Sequence, residues 1–206
     1  MQASHKEFLK EAQRSDYLDD PAYDLGCDWV VRNLPRVRAL VPNTIIDTEG
    51  FVIEGEDRSR LFALRQIAAR QDASMYGLSG PVVGFIDVAI VEESTRERKF
   101  SVEGNGIKWA VAVFVRPAIP HIGRLLREVE RCRQGHIKDN RASVVGGYHE
   151  DFVSPKDLSI VIISNGVQHQ DIITSQGFIL FSCPEAFTKP STSVPSQSVP
   201  MSPSKA

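Results

Sequence analysis

Cysteine is scarce in this chain: only Cys27, Cys132 and Cys183 occur, odd in number and far apart. No CxxC or Cys/His ligand spacing accompanies them, which excludes a disulfide scaffold, argues against structural zinc and points to a reducing compartment. Charge of one sign is lacking too. The formal net charge is −2, so no global field draws the chain onto nucleic acid, and such binding has to come from a local patch. No apolar run approaches the roughly 20 residues of a membrane span, and the opening MQASHKEFLKEAQRSD is too polar for a secretory signal. The expectation is an intracellular protein, cytoplasmic or nuclear, with no membrane partner. Also missing are GxGxxG and GxxxxGK[ST] phosphate loops, and no cysteine has the His or Asp neighbours of a nucleophile. His136, His149 and His169 share no ligand spacing such as HxxxH, which speaks against a metal role for them.

What is present is ordinary globular material, 42% hydrophobic and 24% charged, enough for one domain with a full core. Residues 1–20 read as a charged helix with a thin apolar stripe of Phe8, Leu9 and Ala12. Residues 24–41 give a second helical pattern, interrupted at Pro35, with Trp29, Val30 and Leu34 toward the core. TIID and FVIE are β-rich runs around Thr48-Glu49-Gly50 and predict a hairpin. Leu61, Leu64, Ile67 and Ala68 recur at helical spacing, so residues 58–71 are predicted as a helix, capped by Asp57 or Ser59 and broken by GLSGP. Strands are predicted over 82–91 and 107–115, separated by a polar loop over 92–106. A helix over 122–133, a polar loop over 134–157, a strand over 158–164, a short helix over 168–175 and a last strand over 178–182 complete the series. The loop holds GYHED, whose His149, Glu150 and Asp151 read as a polar tip rather than a metal set. The implied fold class is α/β, a central mixed sheet flanked by helices, because a strand–helix–strand unit requires a parallel crossover. The expected organisation is one α/β domain over 1–187, with a helical part at about 1–42 and a core at about 45–187. Residues 188–206 are Ser, Pro, Thr and Lys with almost no core formers, the composition of a disordered tail.

The chemistry of interest lies between residues 84 and 133. GFIDVAIVEE carries a lone acid, Asp87, inside an apolar run, and IKWAVAVFVRP ends on Arg116. A buried carboxylate is costly unless it is paired or metal-bound, so Asp87 is either a site residue or half of an ion pair with Arg116 or Lys108. Arg124, Arg127 and Arg131 fall on one face of the next helix. They are either a phosphate-contacting stripe or a solvated face laced with Glu128 and Glu130.

GFIDVAIV, AVAVFVRP, IGRLLREVERCR and the pair LSIVIISN and IITSQGFILFSCP together resemble the PD-(D/E)XK, or restriction-endonuclease-like, nuclease superfamily across about residues 80–185. The resemblance implies a restriction-endonuclease-like core. Asp87 would be the first metal-binding carboxylate, and the family's Glu-x-Lys pair would fall on Phe114 and Arg116. Phe114 offers Mg²⁺ no ligand, and Arg116 keeps a positive charge but cannot share a proton with water. The implied protein is therefore a degenerate nuclease that binds nucleic acid or a protein partner, with no cofactor expected. Its nucleic-acid-binding residues would be Arg116, Arg124, Arg127 and Arg131, contacting DNA or RNA through a local basic face. One alternative is an active Mg²⁺-dependent nuclease. It would use Asp87 and a relocated carboxylate, Glu130, as metal ligands, with Arg116 as the catalytic cation; against it stands an ordinary Glu130 paired with Arg127 or Arg131. Another alternative is a structural α/β interaction protein unrelated to nucleases.

Overall fold

The computed structural model describes residues 20–74, 77–95, 107–138 and 152–189. Asp20 starts the first helix, α1 (Pro21–Arg32): its carboxylate accepts from the Ala22 amide at 2.9 Å, and Pro21 fills the first turn where no amide donor is needed. Asn33 closes α1 by donating to the Trp29 carbonyl at 2.8 Å, and Pro35 lies in the first turn of the short α2 (Leu34–Arg38). Trp29 and Val30 are buried and Leu34 partly so, as the helical pattern predicted, and Tyr23, Gly26 and Cys27 are buried with them. Gly26 allows close approach to the sheet. A Cβ there would lie 2.6 Å from Val115 Cγ1 and 2.7 Å from Phe187 Cε1, so a side chain would push the helix away.

The predicted hairpin forms as β1 (Ile45–Ile46) and β2 (Val52–Glu54), with Ile45 opposite Ile53. Asp47 organises the turn by accepting from the Glu49 and Phe51 amides, both at 2.9 Å, while Gly50 takes φ 86. The predicted helix over 58–71 is wrong. That segment is β3 (Asp57–Ser74), paired antiparallel with β4 (Gly77–Ser94), and GLSGP lies inside β4 instead of breaking a helix. The physical reason is a change of phase. Leu61 and Ala63 face one side of the sheet, but Ile67 and Ala69 face the other, with Gln66 at φ 55 between them. Two strand alternations joined out of step mimic a three-to-four spacing. The same slip occurs across the ladder, where Ile86 and Val88 lie on opposite faces with Asp87 between them.

From β4 the chain continues through β5 (Ile107–Arg116), α3 (Ile122–Gln134), a small pair β6 (Ile137–Lys138) and β7 (Phe152–Val153), and β8 (Ser159–Ser164). It ends with α4 (Gln170–Ser175), β9 (Ile179–Ser182) and a 3-10 turn, Pro184–Phe187. The main sheet has seven strands in the order β1-β2-β3-β4-β5-β8-β9, antiparallel through β5 and parallel from β5 to β9. This is the mixed α/β sheet the strand–helix–strand pattern implied, with one helix fewer. Val111, Val113 and Val115 of β5 pack under α1, α2 and the last turn, while Ala112 and Phe114 pack under α3 and α4. A central strand covered on both faces reads as the near-continuous apolar run seen in the sequence. Among the described residues no helix is long and apolar enough to cross a membrane. The expected first helix (1–20) apart from Asp20, the GYHED tip and the tail beyond 189 lie outside the described residues.

Candidate functional site

Asp87 sits where the sheet loses its regularity. The β4–β5 ladder ends at Val88 opposite Val113, and the next inward amide of β5, Val115, donates to Asp87 Oδ2 at 2.8 Å instead of to β4 backbone. Arg116 Nη1 donates to the same oxygen at 2.6 Å, and the Tyr23 hydroxyl of α1 donates to Oδ1 at 2.6 Å. With 1% of its surface exposed, Asp87 exchanges its water shell for these three donors, which is what a buried carboxylate requires. Arg116, the last residue of β5, bridges onward. Its Nη2 donates to Glu128 Oε1 at 2.6 Å, its Nη1 also reaches the Val115 carbonyl at 2.7 Å, and its guanidinium lies 5.7 Å from the centre of the Phe114 ring. Arg116 is 3% and Glu128 5% exposed. The result is a buried carboxylate–guanidinium–carboxylate relay spanning β4, β5 and α3, with α1 closing it through Tyr23.

Burial, and then the Asp87 charge beside it, hold the Tyr23 hydroxyl far above its ordinary value, so it remains a donor. The same two causes push the Cys27 thiol up to about 12. Burial, followed by the Glu128 and Asp87 charges, also raises Cys132. All three cysteines are free and buried, and these thiols lack the lowered pKa of a nucleophile.

Of the sequence-predicted site residues, Asp87 and Arg116 come together and Glu130 does not join them. Glu130 is exposed and accepts from Arg133 at 3.3 Å and Gln134 at 3.0 Å. The carboxylate that reaches Arg116 is Glu128, read from sequence as part of the solvated face. The correction is geometric: Glu128 lies three residues after Leu125 and four before Cys132, on the buried arc of α3. A Glu embedded in that apolar stripe was the available signal. Lys108, the other candidate partner for Asp87, instead pairs with Glu54 at 3.0 Å. Arg116, which the resemblance implies as a nucleic-acid contact, is 3% exposed and bonded on both sides to buried carboxylates. For the same reason these residues do not fit Mg²⁺. The space between the two carboxylates holds a covalently attached cation, and Phe114 supplies no oxygen. Among the described residues no group of three or more His, Cys, Asp or Glu could hold a metal.

The rest of the basic face is accessible. Arg127 and Arg131 are exposed on α3, and Arg124 is half-buried. Arg124 and Arg127, with His121 and His169, line an open groove of about 520 Å³. The groove lies between the β5–α3 and β8–α4 connections, at the carboxyl ends of two parallel strands, where open α/β sheets characteristically receive ligands. The two connections are tied together by the Asn165 amide donating to the Pro117 carbonyl at 3.3 Å. His169 takes a left-handed conformation, φ 62, just before α4. Neither histidine was singled out for this role in the sequence, since they are 48 residues apart and only the parallel crossover makes them neighbours.

Fold and site thus define a class: an α/β protein with a mixed seven-stranded sheet, a buried ionic relay at the end of β5, and a basic groove beside it. No protein-family model, curated protein or solved structure matches the chain.

Proposed function

We propose that this chain is a nuclease-like frame without hydrolytic chemistry that binds nucleic acid through the arginine face of α3. The observation that carries the reading is the Arg116 guanidinium bonded between Asp87 and Glu128, in the place where the family resemblance implies a divalent metal and a water-activating Lys. A fixed cation there engages both acids in the space where a metal would polarise a water. The order of the elements supports the restriction-endonuclease-like core. A strand bearing Asp87 is followed by a strand ending at Arg116, then α3, β8, α4, the Gln176-Gly177 turn with Gly177 at φ 76, and β9. The accessible arginines supply the phosphate contacts that a chain of net charge −2 needs from a local patch.

The test is fluorescence anisotropy with short DNA and RNA, single- and double-stranded, across a salt series, beside a cleavage assay in Mg²⁺ and Mn²⁺. Binding should weaken steeply with salt. Arg124→Ala, Arg127→Ala and Arg131→Ala should each lower the log–log salt slope by about one. Loss of binding to every nucleic acid at low salt would leave a protein-interaction module instead. Metal-dependent cleavage that Asp87→Asn abolishes would overturn the non-hydrolytic reading.

A further inference from the structure

We propose that the groove between the β5–α3 and β8–α4 connections holds a nucleotide bearing a phosphomonoester, which in a nucleic acid is the phosphorylated end of a strand. This rests on the nucleic-acid reading above and specifies which part of the ligand is held, and where. The volume of about 520 Å³ lies within the roughly 300–1,000 Å³ of small-ligand sites, room for one nucleotide. Its polar side chains are all of one kind: two arginines and two histidines, with no acid among the lining residues. In a chain whose acids outnumber its bases, 26 to 24, that is a local reversal of charge. A phosphomonoester concentrates up to two charges and three acceptor oxygens on one atom, and converging guanidinium and imidazole donors match this better than they match a diester with a single charge.

The remaining walls, Pro120 and Ile122, are apolar and suit a sugar or base. Arg127 folds back along α3: a Cβ at Gly123 would lie 3.6 Å from its Nη1, which directs the guanidinium toward the groove and away from the far end of the helix. His121 and His169 approach from the two connections that the Asn165–Pro117 bond holds together. Arg131 is one turn further along α3 and does not line the groove, so it can touch the following backbone but not the terminal group.

The experiment uses the full chain and three versions of one short fluorescent oligonucleotide: 5′-phosphorylated, 3′-phosphorylated and unphosphorylated. AMP and inorganic phosphate serve as competitors at about 50 mM salt, where phosphate contacts are weakly screened. One phosphorylated end should bind about tenfold tighter than the unphosphorylated strand. His121→Ala and His169→Asn (Asn tolerates the left-handed backbone) should bring that ratio to about one, with thermal unfolding unchanged. Arg131→Ala should weaken all three forms alike and keep the ratio. Equal binding of the three strands, with no competition by AMP, would overturn the proposal while leaving the nucleic-acid reading intact. Binding of AMP that His169→Asn abolishes, in a protein that holds no oligonucleotide, would support the site and overturn the nucleic-acid reading.

Discussion

Replacing Arg116 with methionine removes the one cation from a relay whose acids are 1% and 5% exposed. Asp87 keeps the Tyr23 hydroxyl and the Val115 amide, so its loss is partial. Glu128 loses the 2.6 Å bond that turns it into the sheet. Removing one partner from a buried ion pair costs about 3–5 kcal/mol, because a buried charge is left uncompensated. That is a large share of the roughly 5–15 kcal/mol by which domains are stable, and at about 2–4 °C per kcal/mol it corresponds to a fall of about 6–20 °C in Tm. Urea unfolding followed by circular dichroism should show the midpoint falling with the slope unchanged. Arg116→Lys keeps the charge but cannot span both carboxylates, and should fall between. The decisive comparison is Asp87→Leu, Arg116→Met and Glu128→Leu made together. Removing all three charges at once strands no charge, but it takes the acceptor from the Tyr23 hydroxyl and the Val115 amide, about 1–3 kcal/mol each. With Tyr23→Phe added, the combined variant should lie within about 1–3 kcal/mol of the parent. A loss below about 1 kcal/mol for Arg116→Met, or a combined variant less stable than that single one, would refute the claim that Arg116 is what makes the two buried acids tolerable.

Tyr23→Phe removes a donor to a charged oxygen and should cost about 1.5–3 kcal/mol in the same assay. Glu128→Ala should destabilise by several times more than Glu130→Ala, which touches only Arg133 and Gln134 at the surface and should stay within about 0.5 kcal/mol; equal effects would return the relay to Glu130. The raised Cys27 pKa gives a signed pH effect. The folded thiol stays protonated up to about 12 while the unfolded one ionises near 9. Its contribution is therefore complete below pH 9 and is lost as pH rises from 9 toward 12. Between pH 8 and pH 10 the stability of the parent relative to Cys27→Ala should fall by about 1 kcal/mol, measured by urea unfolding at each pH; a difference that holds or grows would reject the buried thiol.

Much of the architecture was legible because its signals are local. The apolar run of β5, the periodic face of α3, the β1–β2 turn and the strand–helix–strand at the end all carry their pattern within a dozen residues. β3 was not legible. Its alternation changes phase at Gln66, and no local pattern distinguishes two strands joined out of step from one helix. The antiparallel partner that settles the matter is β4, whose own slip at Asp87 is matched to it across the ladder.

The sequence alone determined that an acid in one apolar strand and a cation at the end of the next had to meet something, since neither tolerates burial unpaired. It also determined that Phe114 could not hold a metal, because that follows from the side chain itself. Only the tertiary structure decided that Asp87 and Arg116 would satisfy each other, that Glu128 and not Glu130 would complete the relay, and that Tyr23 of α1 would close it. The reason is that burial and partnership are properties of packing. Which arc of α3 meets the sheet, where β5 parts from β4, and which two loops share a groove are set by contacts between segments distant along the chain.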